Sequence, residues 1–148
     1  VVEYAADDMK TERRYYVSCI NLRSEQTAAQ EFMDTKRNWK NLGGRTCYHG
    51  YQSFKAGEVT AETAHEIGVK LAQELWGDRF EVVVATHCNT GHYHNHFVIN
   101  SVSCVDGYKF YNSPADYARM REVSDRLCRE YAISVIQKTL SCRALKGF

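Results

Sequence analysis

Four of the six histidines in this 148-residue chain lie within one ten-residue segment. They are His87, His92, His94 and His96, and an apolar triplet typical of a β-strand follows the last of them. Because successive side chains of a strand alternate between its faces, His94 and His96 are expected on one face, about 7 Å apart along the strand. His87 is available as a third imidazole from the preceding strand. The cluster therefore predicts a metal site, although a lone histidine would more often be structural.

The number and type of these donors indicate the chemistry of such a site. Structural zinc sites are usually closed by four side chains with cysteine prominent, whereas catalytic sites keep one position open. Cys88 is expected on the opposite side of the strand from His87, which leaves three imidazoles and room for water or a phosphate oxygen. Neutral imidazoles suit zinc, manganese, cobalt or nickel better than magnesium alone. The ion would act as a Lewis acid that polarises a substrate oxygen.

Length and composition predict a single folded domain. The chain is 44% hydrophobic, has one proline and is long enough to bury a core. No segment is long and apolar enough to span a membrane, and the start resembles neither a signal peptide nor a transit peptide. Six cysteines in no paired pattern favour reduced thiols and a cytoplasmic location. A net charge of +1 does not by itself indicate nucleic acid, so an anionic partner would be met by local basic patches.

Hydrophobic periodicity predicts several strands joined by hairpins and by helices. The predicted strands cover residues 14–21, 46–54, 80–86 and 94–104, with a turn at Asp106-Gly107 into residues 108–110 and a short last strand at 133–136. Strands outnumber helices, and hairpins mix with helical crossovers. This pattern favours an α+β fold with a central, mainly antiparallel sheet and the helices on one face, and not a doubly wound parallel sheet.

Three helices are predicted from capping residues and apolar spacing. The first begins near Ser24 and runs to Gly43-Gly44, with Trp39 among its apolar positions. The second is capped by Thr60 and carries the clearest apolar stripe, which is expected to be core. The third begins at Ser113 with proline at its first position.

The spacing of the histidines resembles the third motif of plasmid relaxases, which are mobilisation nucleases of the HUH endonuclease superfamily. The register H-x6-H-x-H is formed by His87, His94 and His96, and an apolar triplet and Asn100 follow it. His92 and Asn95 match the longer pattern of this subgroup. Two further segments agree in order and spacing. Residues 48–58, with Ser53, resemble the S-F-x-x-G-E segment of the family, and residues 4–11 resemble its Y-A-x-x-x-x-K-T segment.

This resemblance implies an HUH-endonuclease-like fold and a single-strand DNA nickase. Tyr4 is the expected nucleophile, which attacks the scissile phosphate at an origin of transfer and becomes linked to the 5′ end. His87, His94 and His96 are the expected ligands of one divalent ion, with Mn²⁺ or Mg²⁺ in use and Zn²⁺, Co²⁺ or Ni²⁺ as alternatives. The implied partners are single-stranded origin DNA, accessory relaxosome proteins and secretion-system coupling proteins in a bacterial cytoplasm.

Other matched positions are expected to support the ion or to contact DNA. His92, Asn89 and Asn100 are assigned to one of these two roles. Asn89 stands where the family usually has aspartate, and its carbonyl can still accept a hydrogen bond, so the change bears on metal affinity. Ser53 is expected either to bond a phosphate near the nick or to satisfy its own turn.

The resemblance assigns residues 4–136 to a relaxase-like nuclease domain and leaves residues 137–148 as a C-terminal tail. The chain begins with Val1, so it is expected to be a fragment, truncated at one or both ends, or a processed product. Two alternatives stay open. One is a rolling-circle replication initiator, which shares the metal site and the tyrosine chemistry. The other is a non-catalytic metal-binding or nucleic-acid-binding fragment that lacks its nucleophile.

Overall fold

The computed structural model describes residues 2, 16–88 and 91–135 of the chain. These residues contain an antiparallel sheet with the strand order β1-β3-β4-β2. The strands are β1 (Val17–Ile20), β2 (Cys47–Ser53), β3 (Val82–His87) and β4 (His94–Asn100). The helices are α1 (Ala28–Asn38), α2 (Ala61–Trp76) and α3 (Pro114–Glu130). This architecture confirms the predicted α+β class with a central antiparallel sheet.

The helices lie on both faces of the sheet, so the expectation that they share one face is wrong. Val82 and Val84 pack in one apolar cluster with residues of α2 and α3. Val83 and Ala85 pack in a second cluster with Ala28 and Phe32 of α1. Since neighbouring residues of a strand point to opposite faces, the two clusters are separated by the sheet. β3 is apolar on both sides for this reason, and its sequence alone does not show which helix covers which side.

The second and third helices begin where the sequence predicts. The side chain of Thr60 accepts a hydrogen bond from the backbone N–H of Thr63, at 3.1 Å. At the start of α3, Ser113 and Asp116 form a reciprocal capping box, and proline occupies the first helical turn. Each side chain satisfies a backbone donor that has no partner within the helix. None of the described helices is long and apolar enough to cross a membrane.

The first helix is shorter than predicted. It begins at Ala28, after Thr27 and not directly after Ser24, and it ends at Asn38, well before the glycine pair. Trp39 caps its C-terminus and is 44% exposed, so it is not a core residue of the helix. Lys40 then adopts a positive φ of 52°, which turns the chain out of the helical path.

Two predicted strand ends also differ. β4 stops at Asn100, and only Val102 continues its pairing, through an isolated bridge to Lys109 across the predicted turn. Residues 133–135 form no strand, and Ile136 lies outside the described residues. Ala132 adopts a positive φ of 56°, and the amide of Ile133 bonds back to the carbonyl of Cys128 at 2.8 Å. That bond closes the end of α3, so the amide is not available to a sheet.

A buried polar network ties β4 to its neighbours. The side chain of Asn95 accepts a hydrogen bond from the hydroxyl of Thr86 at 2.6 Å. It donates to the side-chain oxygen of Gln52 at 3.0 Å and to the backbone carbonyl of Ala64 at 2.6 Å. Asn95 is completely buried, so each lost partner would leave a polar group without water. The network therefore fixes β2, β3 and α2 relative to β4.

Glycine at position 68 allows α2 to approach this network. A Cβ atom built on Gly68 would lie 2.6 Å from the Cγ of Asn95, closer than carbon atoms approach in real structures. The sequence places Gly68 in the apolar stripe of α2. The structure shows that this position has no room for a side chain.

We predict that Gly68→Ala destabilises the fold by about 1–3 kcal/mol. The added methyl group overpacks the site, and the free-energy cost of this overpacking exceeds the gain from the higher helix propensity of alanine. Gly43→Ala is the matched control, since a Cβ built there has no atom within 4 Å. Urea unfolding of both variants measures the difference. If Gly68→Ala is as stable as the parent chain, the close approach of α2 to Asn95 is not required.

His65 extends the network to the edge strand β1. Its Nδ1 lies 2.8 Å from the hydroxyl of Thr86, and its Nε2 lies 2.7 Å from the hydroxyl of Ser18. Burial lowers the pKa of His65 to about 4. The ring is therefore neutral in the folded protein over the range in which an unfolded chain would protonate it.

We predict that the free energy of unfolding falls as the pH is lowered from about 6.5 to 4. In this window the unfolded chain binds a proton at His65 that the folded chain does not bind, which costs about 3 kcal/mol in total. Denaturant unfolding at pH 7 and pH 4.5 measures the change, and His65→Gln serves as the non-titrating comparison. Equal pH dependence in the two proteins would contradict this role of His65.

Candidate functional site

The antiparallel pairing of β3 and β4 brings the three predicted ligands onto one face of the sheet. His87, the last residue of β3, lies directly opposite His94, the first residue of β4. His96 follows two residues later, opposite Ala85. The ring centroid of His96 lies 3.9 Å from that of His87 and 6.5 Å from that of His94. The structure thus brings together the side chains that the H-x6-H-x-H spacing selects.

The histidines of the cluster are buried to different degrees, and the environment of His94 favours its neutral form. His87 is buried, whereas His94 and His96 are half-buried. Burial lowers the pKa of His94, the charge of the neighbouring His92 lowers it further, and a hydrogen bond with the backbone of His92 offsets part of this effect. A neutral imidazole has a nitrogen lone pair, and this is the form that binds a metal ion.

The donor types and strand positions of the three histidines fit a divalent ion, although their side chains are not arranged around a single point. Within residues 16–88 and 91–135, no three His, Cys, Asp or Glu side chains already have the arrangement of a metal site. His87, His94 and His96 nevertheless occupy adjacent positions of one face, on paired strands. Three imidazole nitrogens on such a rigid support are a donor set for zinc, manganese, cobalt or nickel.

A fourth histidine, which the sequence reasoning missed as a site residue, joins the cluster from the neighbouring strand. His49 of β2 lies on the same face, and its Nε2 is 2.8 Å from the Nδ1 of His96. The two rings are nearly parallel, with centroids 5.0 Å apart and an interplanar angle of 17°. Burial lowers the pKa of His49, and His87 lowers it further. Alternation along β2 places His49, Tyr51 and Ser53 on one face, but only the register against β4 brings His49 to His96.

Two further residues of β2 border the histidines. Ser53 lies directly opposite His94, and Tyr51 lies directly opposite His96. The ring centroid of Tyr51 is 6.5 Å from that of His96. The structure therefore places Ser53 beside the cluster.

The remaining predicted positions are placed differently. His92 is exposed in the segment between β3 and β4. Asn89 and Tyr4 lie outside the described residues. Asn100 lies at the far end of β4, where its side chain donates to the carbonyl of Phe32 at 3.2 Å and to the carboxylate of Glu81 at 2.7 Å. The structure does not bring Asn100 to the histidines.

The contacts of Asn100 anchor α1 to the sheet. The Glu81 carboxylate also accepts a bond from the hydroxyl of Thr35 at 2.7 Å. Burial raises the pKa of Glu81, while the bonds from Asn100 and Thr35 partly offset that effect. Asn100 is completely buried, so these described contacts are those of a packing residue.

The sequence matches a known family over nearly its whole length. The model of the family described as "Relaxase: MobA/VirD2-like, nuclease domain" matches residues 4–133. This match includes β1 to β4 and all three described helices. It also includes the histidines that the structure brings together, which are His49, His87, His94 and His96. The chain therefore belongs to the MobA/VirD2-like relaxase nuclease-domain family.

Individual relatives agree with this assignment. The chain is 36% identical over 116 residues to Protein rlx of Staphylococcus aureus, a match covering 78% of this chain and 36% of that protein. It is 26% identical over a 174-residue alignment to the group II intron-interrupted relaxase LtrB of Lactococcus lactis subsp. cremoris (strain MG1363), covering 92% of this chain and 31% of that protein. The chain thus spans about a third of the length of these curated relatives. No solved structure matches it.

Proposed function

We propose that the chain nicks and rejoins single-stranded DNA at the origin of transfer of a plasmid or conjugative element, through a covalent 5′-phosphotyrosine intermediate. The observation that carries the proposal is the placement of His87, His94 and His96 on one face of paired strands, in a chain that belongs to a relaxase nuclease family. Binding of single-stranded DNA follows from membership of that family.

The proposed metal ligands are His87, His94 and His96. A divalent ion held there, Mn²⁺ or Mg²⁺ in use with Zn²⁺, Co²⁺ or Ni²⁺ as alternatives, would withdraw charge from the scissile phosphate and favour attack on phosphorus. The sheet supplies the rigidity of the site, since two of the ligands are a directly paired cross-strand couple. Ser53, opposite His94, is proposed to bond the phosphate. His92, in the exposed segment before β4, and Asn89 are proposed to support the site or the DNA.

Tyr4 is the proposed nucleophile. Its phenol oxygen forms a bond to phosphorus, and the bond between phosphorus and the 3′ oxygen breaks. The proton that the phenol loses is balanced by the proton that the 3′ oxygen gains. One phosphate ester replaces another, so the reverse reaction can rejoin the strand. A phenol has a pKa near 10, so the attack depends on activation of both the oxygen and the phosphate.

The proposed partners are accessory relaxosome proteins and secretion-system coupling proteins. The proposed location is the bacterial cytoplasm. The six cysteines are scattered along the sequence in no paired pattern, which supports a reducing compartment. A rolling-circle initiator would share the metal and tyrosine chemistry, but the family match favours a relaxase.

Labelled single-stranded origin DNA, incubated with the chain and Mn²⁺, tests the proposal. A relaxase gives a covalent protein–DNA adduct on a denaturing gel and a free 3′-hydroxyl fragment. Binding without an adduct would identify a non-catalytic module. Cleavage without a covalent adduct would identify a hydrolytic nuclease.

We predict that alanine at His87, His94 or His96 reduces Mn²⁺ binding below the limit of calorimetry, because each change removes one of three donors. His92→Ala is the matched control within the same segment and should retain the ion. Circular dichroism confirms that each variant is folded. Loss of the ion in His92→Ala together with its retention in His87→Ala would refute this ligand assignment.

We predict that Tyr4→Phe eliminates the adduct while leaving metal and DNA binding nearly unchanged, because only the attacking oxygen is removed. Tyr51→Phe, which removes a hydroxyl beside the cluster, is the comparison and should retain the adduct. An undiminished yield of adduct in Tyr4→Phe would move the nucleophile to another tyrosine.

A further inference from the structure

A direct hydrogen bond between the two rings holds His49 against His96, which is one of the proposed ligands. The Nε2 of His49 lies 2.8 Å from the Nδ1 of His96, and the rings are nearly parallel. The two residues come from adjacent strands, β2 and β4, whose register runs through the paired residues Tyr51 and His96. The pairing of β2 with β4 therefore holds the two rings next to each other.

The distance distinguishes a hydrogen bond from shared coordination. Two nitrogens bound to one tetrahedral zinc ion at about 2.0–2.1 Å lie roughly 3.3 Å apart, and two adjacent nitrogens of an octahedral Mn²⁺ or Mg²⁺ site lie roughly 3 Å apart. The separation of 2.8 Å between His49 and His96 is shorter than either and is typical of a hydrogen bond between ring nitrogens. His49 is thus placed as a partner of His96 and not as a further ligand.

The direction of this hydrogen bond decides what His96 can do. If the Nδ1–H of His96 donates to the Nε2 of His49, the lone pair of His96 is on its Nε2. If His49 donates instead, the Nε2 of His96 carries the proton and cannot coordinate. Metal-binding histidines commonly donate their second ring nitrogen to such a partner, which fixes both tautomer and ring orientation.

We infer that His49 is a positioning residue, which accepts the Nδ1–H of His96 and so presents the Nε2 of His96 for coordination. The inference rests on the proposed metal site. It assigns a reason for histidine at position 49, two residues before the tyrosine that faces His96. His49 touches neither phosphate nor nucleophile in this assignment.

Two substitutions separate the acceptor from the ring. His49→Phe keeps an aromatic ring beside His96 but removes the acceptor, whereas His49→Gln keeps an oxygen that can accept the same bond. We predict that His49→Phe weakens Mn²⁺ binding by about 10–100-fold and that His49→Gln restores most of the loss. Calorimetry on the full 148-residue chain measures both. Equal binding in His49→Phe and the parent chain would overturn the inference, and complete loss in both variants would make His49 a ligand instead.

A second readout does not depend on the metal. Nitrogen-15 NMR of the metal-free chain reports which nitrogen of His96 carries the proton. The inference predicts the Nδ1–H tautomer in the parent chain and in His49→Gln, and a mixture of tautomers in His49→Phe. An Nε2–H tautomer in the parent chain would overturn it. If the predicted tautomers are found but no variant binds Mn²⁺, the proposed metal site fails while the positioning of His96 stands.

Discussion

The fold depends on one buried amide in the middle of the histidine strand. Asn95 lies between His94 and His96, and its side chain points to the opposite face, where it bonds Thr86, Gln52 and the carbonyl of Ala64. A buried network of this kind is stable only when every member has its partner, so it specifies one register of the strands. A one-residue slip of β4 would bury the histidines and expose Asn95. The constraint that orders the core therefore also decides which face carries the site.

The two faces of the sheet divide the work of packing and chemistry. α2 and α3 cover the face of Asn95 with a large apolar cluster, and Gly68 lets α2 approach the amide. On the other face α1 packs against Val83, Ala85 and Val98, and the histidines follow on the same strands beyond these residues. A site built on paired strands holds its donors more rigidly than a loop would. The proposed nickase chemistry needs such rigidity, because the ion and the nucleophile must meet at one phosphate.

Patterns of neighbouring residues predict most of the strands and helices. They also predict the part of the site whose residues lie close together in the sequence. His87 and His94 flank a short connection, so a hairpin makes them neighbours. Pairings between distant segments were not predictable in the same way. His49 reaches His96 only through the β2–β4 register, which no spacing within either segment encodes. The family motif groups Asn100 with the site, but its partners Phe32 and Glu81 come from elsewhere in the chain. The side of the sheet that α1 covers does not follow from the sequence, because β3 is apolar on both sides.

We propose that the register set by Asn95 makes His87, His94 and His96 one metal site. The most direct measurement is the anomalous diffraction of crystals of this chain grown with Mn²⁺. A single strong peak within bonding distance of one nitrogen from each of these three histidines is the predicted result. A peak that omits one of the three, or a fully ordered histidine cluster without a peak at saturating Mn²⁺, would contradict the claim.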